Sequence, residues 1–192
     1  MIIKMFFALD GVACTTKTTI LKKLHKDNIS QFRVHRVDFK EISDKLKLGA
    51  DPALDSMLFI AYRSTYQVNK NYKNVFDREP VAGLLYRLIF LNSDEKTIEK
   101  YCTYIKMMKI NRGWKSIILL PIDGQEDIVV NMMLLRNNGI DWLDPEYVRR
   151  QTKVYKIWAR VMNYDVVYID FTKNITEQQD FIITKLINLC LE

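Results

Sequence analysis

The chain has 192 residues, 48% apolar and 27% charged, with a formal net charge of +6. This is enough apolar material for one globular domain with a sizeable core, and it excludes a disordered or low-complexity chain. The cations are scattered, with no basic run interleaved with aromatics, so they point to an anionic small ligand rather than to a nucleic-acid surface.

The longest apolar runs are too short to cross a bilayer, and residues 1–4 lead into a strand rather than a signal peptide. No membrane partner is expected, and cytoplasmic residence is the default. The three cysteines, Cys14, Cys102 and Cys190, form neither a zinc pattern nor a disulfide framework.

Residues 2–9 read as a buried parallel strand. The strand leads into Gly11-Val12-Ala13-Cys14-Thr15-Thr16-Lys17-Thr18-Thr19 and then into a helix running to about residue 26. A strand, a tight loop and Lys-Thr opening a helix form the context of a phosphate-binding loop. Backbone N–H groups of the loop and of the helix N-terminus converge on one anion. Lys17 would reach the terminal phosphates, and the Thr18 hydroxyl would ligate Mg²⁺. Where the usual pattern has glycine, this chain has Cys14 and Thr16. Glycine tolerates positive φ there, whereas a β-branched threonine is strained. The plainer alternative is a polar strand-to-helix turn.

Residues 32–39 read as a second strand, with His35 an ordinary member of it. A short helix over 40–48 stops at Gly49. A longer one opens at Asp51-Pro52, with Leu54, Met57, Leu58, Ala61 and Tyr62 as an apolar stripe. Phe59 and Arg63, four apart, share a face and can grip one ligand. Residues 74–78 read as a third strand ending in Asp77-Arg78. Carboxyl ends of parallel strands line the ligand crevice, so Asp77 could hold Mg²⁺ through water and Arg78 could clamp a phosphate. A salt-bridged pair capping the strand is the alternative.

A helix over 81–90 carries Gly83 and Tyr86, and a second over 94–110 has Met107 and Met108 as core. A strand over 116–121, a helix over 127–138, a short exposed piece at 140–143, a helix from Asp144-Pro145 to about 162, a strand over 165–170 and a helix over 177–191 complete the chain. Strands alternating with helices imply a parallel sheet covered on both faces, in one domain over 1–192.

In this order and spacing the chain resembles the thymidylate kinase branch of the nucleoside and nucleotide kinases, over most of its length. The resemblance implies a three-layer P-loop NTPase fold, α/β, with a five-stranded parallel sheet flanked by helices. It implies ATP-dependent phosphoryl transfer to dTMP with Mg²⁺ as cofactor, held by Thr18 and Asp77. By resemblance, Phe59 stacks on the base and Arg63 reaches its edge, while Arg78 holds the acceptor phosphate. Gly83 and Tyr86 lie near base and sugar, and Phe39 matches a family phenylalanine whose following proline is here Lys40. A lid at about 136–144 carries Arg136, which closes on the transferred phosphoryl group. Homodimers are common in that family.

Such a reaction needs no general base, which suits a chain with two histidines, neither expected at a strand's carboxyl end. A deoxynucleoside kinase is the nearest alternative, and it would need a base such as Asp38 or Glu41. A catalytically impaired P-loop homologue, binding a nucleotide or a partner protein, is the alternative of another class. Abundant Lys, Asn and Ile would suit an AT-rich genome such as that of a large DNA virus.

Overall fold

The computed structural model describes residues 5–27, 31–36, 39–49, 51–65, 68 and 71–191, with 39, 40, 52 and 53 described by backbone alone. The elements are β1 (Phe6–Gly11), α1 (Lys17–Asp27), β2 (Phe32–His35), α2 (Phe39–Leu46), α3 (Pro52–Ser64), β3 (Lys73–Asp77), α4 (Ala82–Phe90), α5 (Glu95–Met107), β4 (Trp114–Pro121), α6 (Glu126–Arg136), α7 (Pro145–Met162), β5 (Asp165–Ile169) and α8 (Ile175–Leu191). The strands form one parallel sheet in the order β2-β3-β1-β4-β5. The path runs from β1 over β3 to β2, and from β3 over β1 to β4. The carboxyl ends of β1 and β3 therefore flank the point where the winding changes side, which is where open parallel sheets bind ligands.

The apolar runs follow from burial on both faces. In β4, Ile117 and Leu119 pack with Ile20, Leu21 and Leu24 of α1 and Ile182 and Leu186 of α8. Their neighbours Ile118 and Leu120 face the other way, into a layer with Leu85, Ile89, Ile98, Tyr147 and Trp158 from α4, α5 and α7. A period of two thus feeds two separate cores, and the strand reads as continuously hydrophobic.

Local chemistry sets the helix ends. Asp94 accepts the Thr97 N–H at 2.9 Å, and Asp144 accepts the Glu146 N–H at 2.9 Å just before Pro145. Asn137 (φ 44°) and Asn163 (φ 59°) close α6 and α7 in the left-handed conformation.

Several expectations need correction. The second strand ends at His35, so this histidine does stand at a strand's carboxyl end, and Phe39 opens α2 instead of closing the strand. The His35 ring stacks on Phe76 at 4.3 Å, and Nε2 lies 2.9 Å from the Asn74 side-chain oxygen. The apolar stripe of α3, whose pattern alone fits either a surface or a core face, is turned outward, with Leu54 and Met57 51% and 67% exposed. The buried face of that helix is Ser56, Phe59 and Arg63. Met107 and Met108 are exposed where core packing was expected. No helix among the described residues is long and apolar enough to cross a membrane.

Candidate phosphate and nucleotide site

The loop from Gly11 to Thr16 leaves the central strand and turns into α1. Gly11 has φ 119°, and a Cβ there would meet the Leu119 carbonyl oxygen at 2.1 Å, so β4 leaves room only for glycine. Cys14 (φ 59°) and Thr16 (φ 61°) adopt the left-handed shape that glycine usually supplies. The phosphate-loop geometry is kept at the cost of backbone strain. Side-chain clamps hold it. Thr15 Oγ1 donates to the Val12 carbonyl at 2.8 Å, and Gln151 Oε1 accepts the Ala13 N–H at 2.9 Å. Thr16 Oγ1 is buried without a partner among the described residues.

Lys17 curls over this loop. Its Nζ donates to Thr15 Oγ1 at 3.0 Å, to the Gly11 carbonyl at 3.4 Å and to the Val12 carbonyl. Burial, and then the nearby Arg78 charge, push its pKa down to about 7. Thr18 Oγ1 stands 3.5 Å from Asp77 Oδ2, so a hydroxyl and a carboxylate meet at the mouth of the loop. Two hard oxygen donors of this kind fit Mg²⁺, which takes few protein ligands and completes its shell with water and phosphate. Among the described residues, no three His, Cys, Asp or Glu side chains cluster to hold a metal unaided.

Arg78, at φ 67°, continues the β1–β3 ladder through its N–H to the Leu9 carbonyl at 3.0 Å. Its guanidinium is buried on Asp10 (2.8 Å), the Gly11 carbonyl (2.6 Å) and the Tyr155 hydroxyl (2.9 Å), with the Tyr86 ring 5.0 Å away. Asp10 also accepts the backbone N–H groups of Gly11 and Glu79. Asp10 thus knits together the ends of the two strands. Arg63, 2% exposed, donates to the carbonyls of Asp77 (3.2 Å) and Arg78 (2.8 Å), and its guanidinium lies 5.7 Å from the Phe59 ring.

A cleft of about 760 Å³ runs from the loop past Phe59, Asp77, Arg78, Gly83, Tyr86 and Phe90 to Arg136, Ile140 and Asp141. Phe59 closes against Gly83, where a Cβ would approach its ring to 3.2 Å. Arg136, at the end of α6, is ion-paired with Asp141. The cleft therefore gathers the loop residues 13–19, Phe59, Asp77, Arg78, Gly83, Tyr86 and Arg136. Arg63 does not line it. Asp38 lies outside the described residues, as do the side chains of Phe39 and Lys40.

Four polar residues of the site escaped the sequence reading: Asp10, Gln151, Tyr155 and Asp141. Only Asp10 left a local signal, as an acid ending an apolar strand.

No protein-family model matches the chain. It is 35% identical over 187 residues to an uncharacterized 33.9 kDa protein of Lymantria dispar multicapsid nuclear polyhedrosis virus, a match covering 95% of this chain and 62% of that protein. The chain thus spans under two thirds of the relative's length. Among solved structures it is similar to the deoxyadenosine kinase of M. mycoides with bound dATP, with TM-score 0.63 and 18% identity over 95% of this chain and 99% of that one. The same enzyme with bound dCTP gives TM-score 0.65 and 16% identity, over 96% and 100%. The YorR protein of Bacillus subtilis, in complex with phosphorylated GDP, gives TM-score 0.51 and 15% identity, over 96% and 94%. The chain has the P-loop kinase fold. At these identities the likeness is one of fold, and the chemistry has to be argued from the site.

Proposed function

We propose that the chain is a nucleoside kinase-like phosphotransferase that moves the terminal phosphoryl group of ATP onto a deoxynucleoside. The observation that carries the reading is the convergence of Lys17, Thr18 and Asp77 on a phosphate-shaped loop at the β1/β3 switch. Lys17, drawn onto the loop carbonyls without a ligand, would turn to the donor phosphates, and Arg136 would leave Asp141 to meet charge on the transferred group. Mg²⁺, held by the Thr18 hydroxyl and the Asp77 carboxylate, would neutralise the phosphates. Phe59, Gly83 and Tyr86 would border the acceptor.

The acceptor class rests on the arginines. The Nη1 of Arg78 is committed to Asp10, Gly11 and Tyr155, and the Nη2 of Arg63 to the carbonyls at the end of β3. A monophosphate acceptor needs such a cation for itself, whereas a sugar hydroxyl does not. It needs a base instead, for which Asp38 and Glu41 are the candidates. The M. mycoides relatives by fold, deoxyadenosine kinases, add to this reading. Transfer to dTMP is the second reading, favoured by the shared α3 face of Phe59 and Arg63 and by Asp77-Arg78. A homodimer through the outward apolar face of α3 remains part of either reading, as does a role in a virus-infected host cell.

The test is ADP release with ATP and Mg²⁺, offering deoxyadenosine, deoxycytidine, thymidine and dTMP in parallel, with Lys17→Ala as control. Turnover of a deoxynucleoside that disappears in the variant is expected. Turnover of dTMP alone would replace this reading with the second one. No turnover, with ATP leaving the melting temperature unchanged, would remove both in favour of a P-loop homologue that acts by binding a partner.

A further inference from the structure

The helix that follows the lid carries a buried side chain to which neither the fold nor the resemblance gives a role. Gln151 of α7 is 0% exposed. Its Oε1 accepts the Ala13 N–H at 2.9 Å and the Tyr86 hydroxyl at 3.4 Å. Its Nε2 is buried without a partner among the described residues. An amide half satisfied in this way is worse for stability than an apolar side chain of the same size, unless the bonds it does make are needed.

What it holds is the Val12–Ala13 peptide, which leads into Cys14. Cys14 and Thr16 sit at φ 59° and 61° without being glycine, and such residues persist only where their surroundings over-determine them. On one side the Thr15 hydroxyl and the Lys17 ammonium fasten to the Val12 carbonyl. On the other, Gln151, 138 residues along the chain, accepts the Ala13 N–H of the same peptide. The hydroxyl of Tyr86, whose ring lies against the Arg78 guanidinium, donates to the same Gln151 Oε1, so both halves of the site touch Gln151.

We infer that Gln151 is a positioning residue that fixes the left-handed turn of the phosphate loop at Cys14 in place of the missing glycine, tying the loop to the helix behind the lid. The effect on nucleotide affinity rests on the function proposed above, whereas the effect on loop shape does not.

Two measurements test this. The first is the rate of Cys14 labelling by an aromatic disulfide in the ligand-free protein. Cys102 and Cys190 are buried, with thiols pushed up to about 12 by that burial, and they serve as internal controls. Gln151→Met keeps the side-chain volume and loses the acceptor. It should speed Cys14 labelling about tenfold, the weight of one lost hydrogen bond, and leave the other two thiols unchanged. Gln151→Glu keeps an acceptor and should label no faster than the parent. An unchanged Cys14 rate in Gln151→Met, or faster labelling of all three thiols, would overturn the inference.

The second is the KM for ATP in a double-mutant cycle with Cys14→Gly. Gln151→Met should raise it about tenfold in the parent and hardly at all once glycine stands at position 14. Equal losses in both backgrounds would overturn the inference. A parent with no turnover on any acceptor would sink the proposed function, and the labelling rates would still decide the role of Gln151.

Discussion

Asp10 and Arg78, at the ends of neighbouring strands, form an ion pair at 2.8 Å with both side chains withdrawn from solvent. Burial alone would lower the arginine's pKa, but Tyr155, Tyr86 and Asp10 around it hold it well above its usual value. Asp10→Ala would leave a buried guanidinium without its counter-charge. The expected loss is about 3–5 kcal/mol in urea denaturation, the range for breaking one side of a buried pair. A loss within the scatter of surface substitutions would mean that the pair does not brace the sheet.

Thr16→Gly should stabilise the ligand-free protein. A β-branched residue at φ 61° carries about 1–2 kcal/mol of left-handed strain, offset in part by the greater chain entropy of glycine. The substitution also removes a buried hydroxyl that has no partner among the described residues. A rise in the melting temperature is the expected readout. A fall would mean that Thr16 Oγ1 makes a bond that offsets the strain.

Lys17 gives the free protein a distinctive pH dependence. Its folded pKa is depressed to about 7 against 10.5 for the ordinary lysine, so between these values the unfolded chain binds more protons. Stability therefore rises with pH across that window on account of this group. Lys17→Met should be more stable than the parent at pH 7 and below, with the gain fading towards pH 10.5. Denaturation curves at stepped pH would show it. Binding a polyphosphate recharges Lys17, so ATP binding at pH 8.5 should take up protons, read by calorimetry in two buffers of different ionisation enthalpy.

Glu79 titrates in the opposite sense. It is 0% exposed, accepts Ser116 Oγ at 2.6 Å, and is pushed up to about 8 by burial. Between 4.5 and 8 the folded state holds the extra proton, so this group makes stability fall as pH rises through that window. Glu79→Gln should match the parent near pH 4 and exceed it at pH 9, with a flatter urea midpoint between. Parallel curves for the two proteins would refute the buried neutral carboxyl.

The parts of this fold that rest on near neighbours were readable in the sequence. An apolar run, a turn and Lys17-Thr18 lie within a few residues of one another, and Asp77-Arg78 sits at a strand end that its own pattern marks. Periodicity showed which residues of α3 share a face, but not which face packs. Phe59 and Arg63 turn inward because Gly83 leaves room for a ring and the carbonyls of Asp77 and Arg78 offer acceptors. That arrangement belongs to another part of the chain. The same limit hid the partners of Asp10 and Ala13, 68 and 138 residues away, and the outward facing of Met107 and Met108. Contacts made by a charged or amide side chain across the sheet leave no period to count.

The two cores on either side of the sheet give the phosphate loop one more property. Val12 and Ala13 pack in the layer with α7, whereas Ile20 and Leu21 of α1 pack in the layer with α8. The loop is thus a strap drawn over the end of the sheet and anchored in both layers. Any slip of one layer against the other has to be absorbed between residues 13 and 17, where Cys14 and Thr16 already sit in a narrow conformational well. The loop works as a strain gauge for the whole sandwich, and substitutions deep in either core should be felt there before they are felt at the surface.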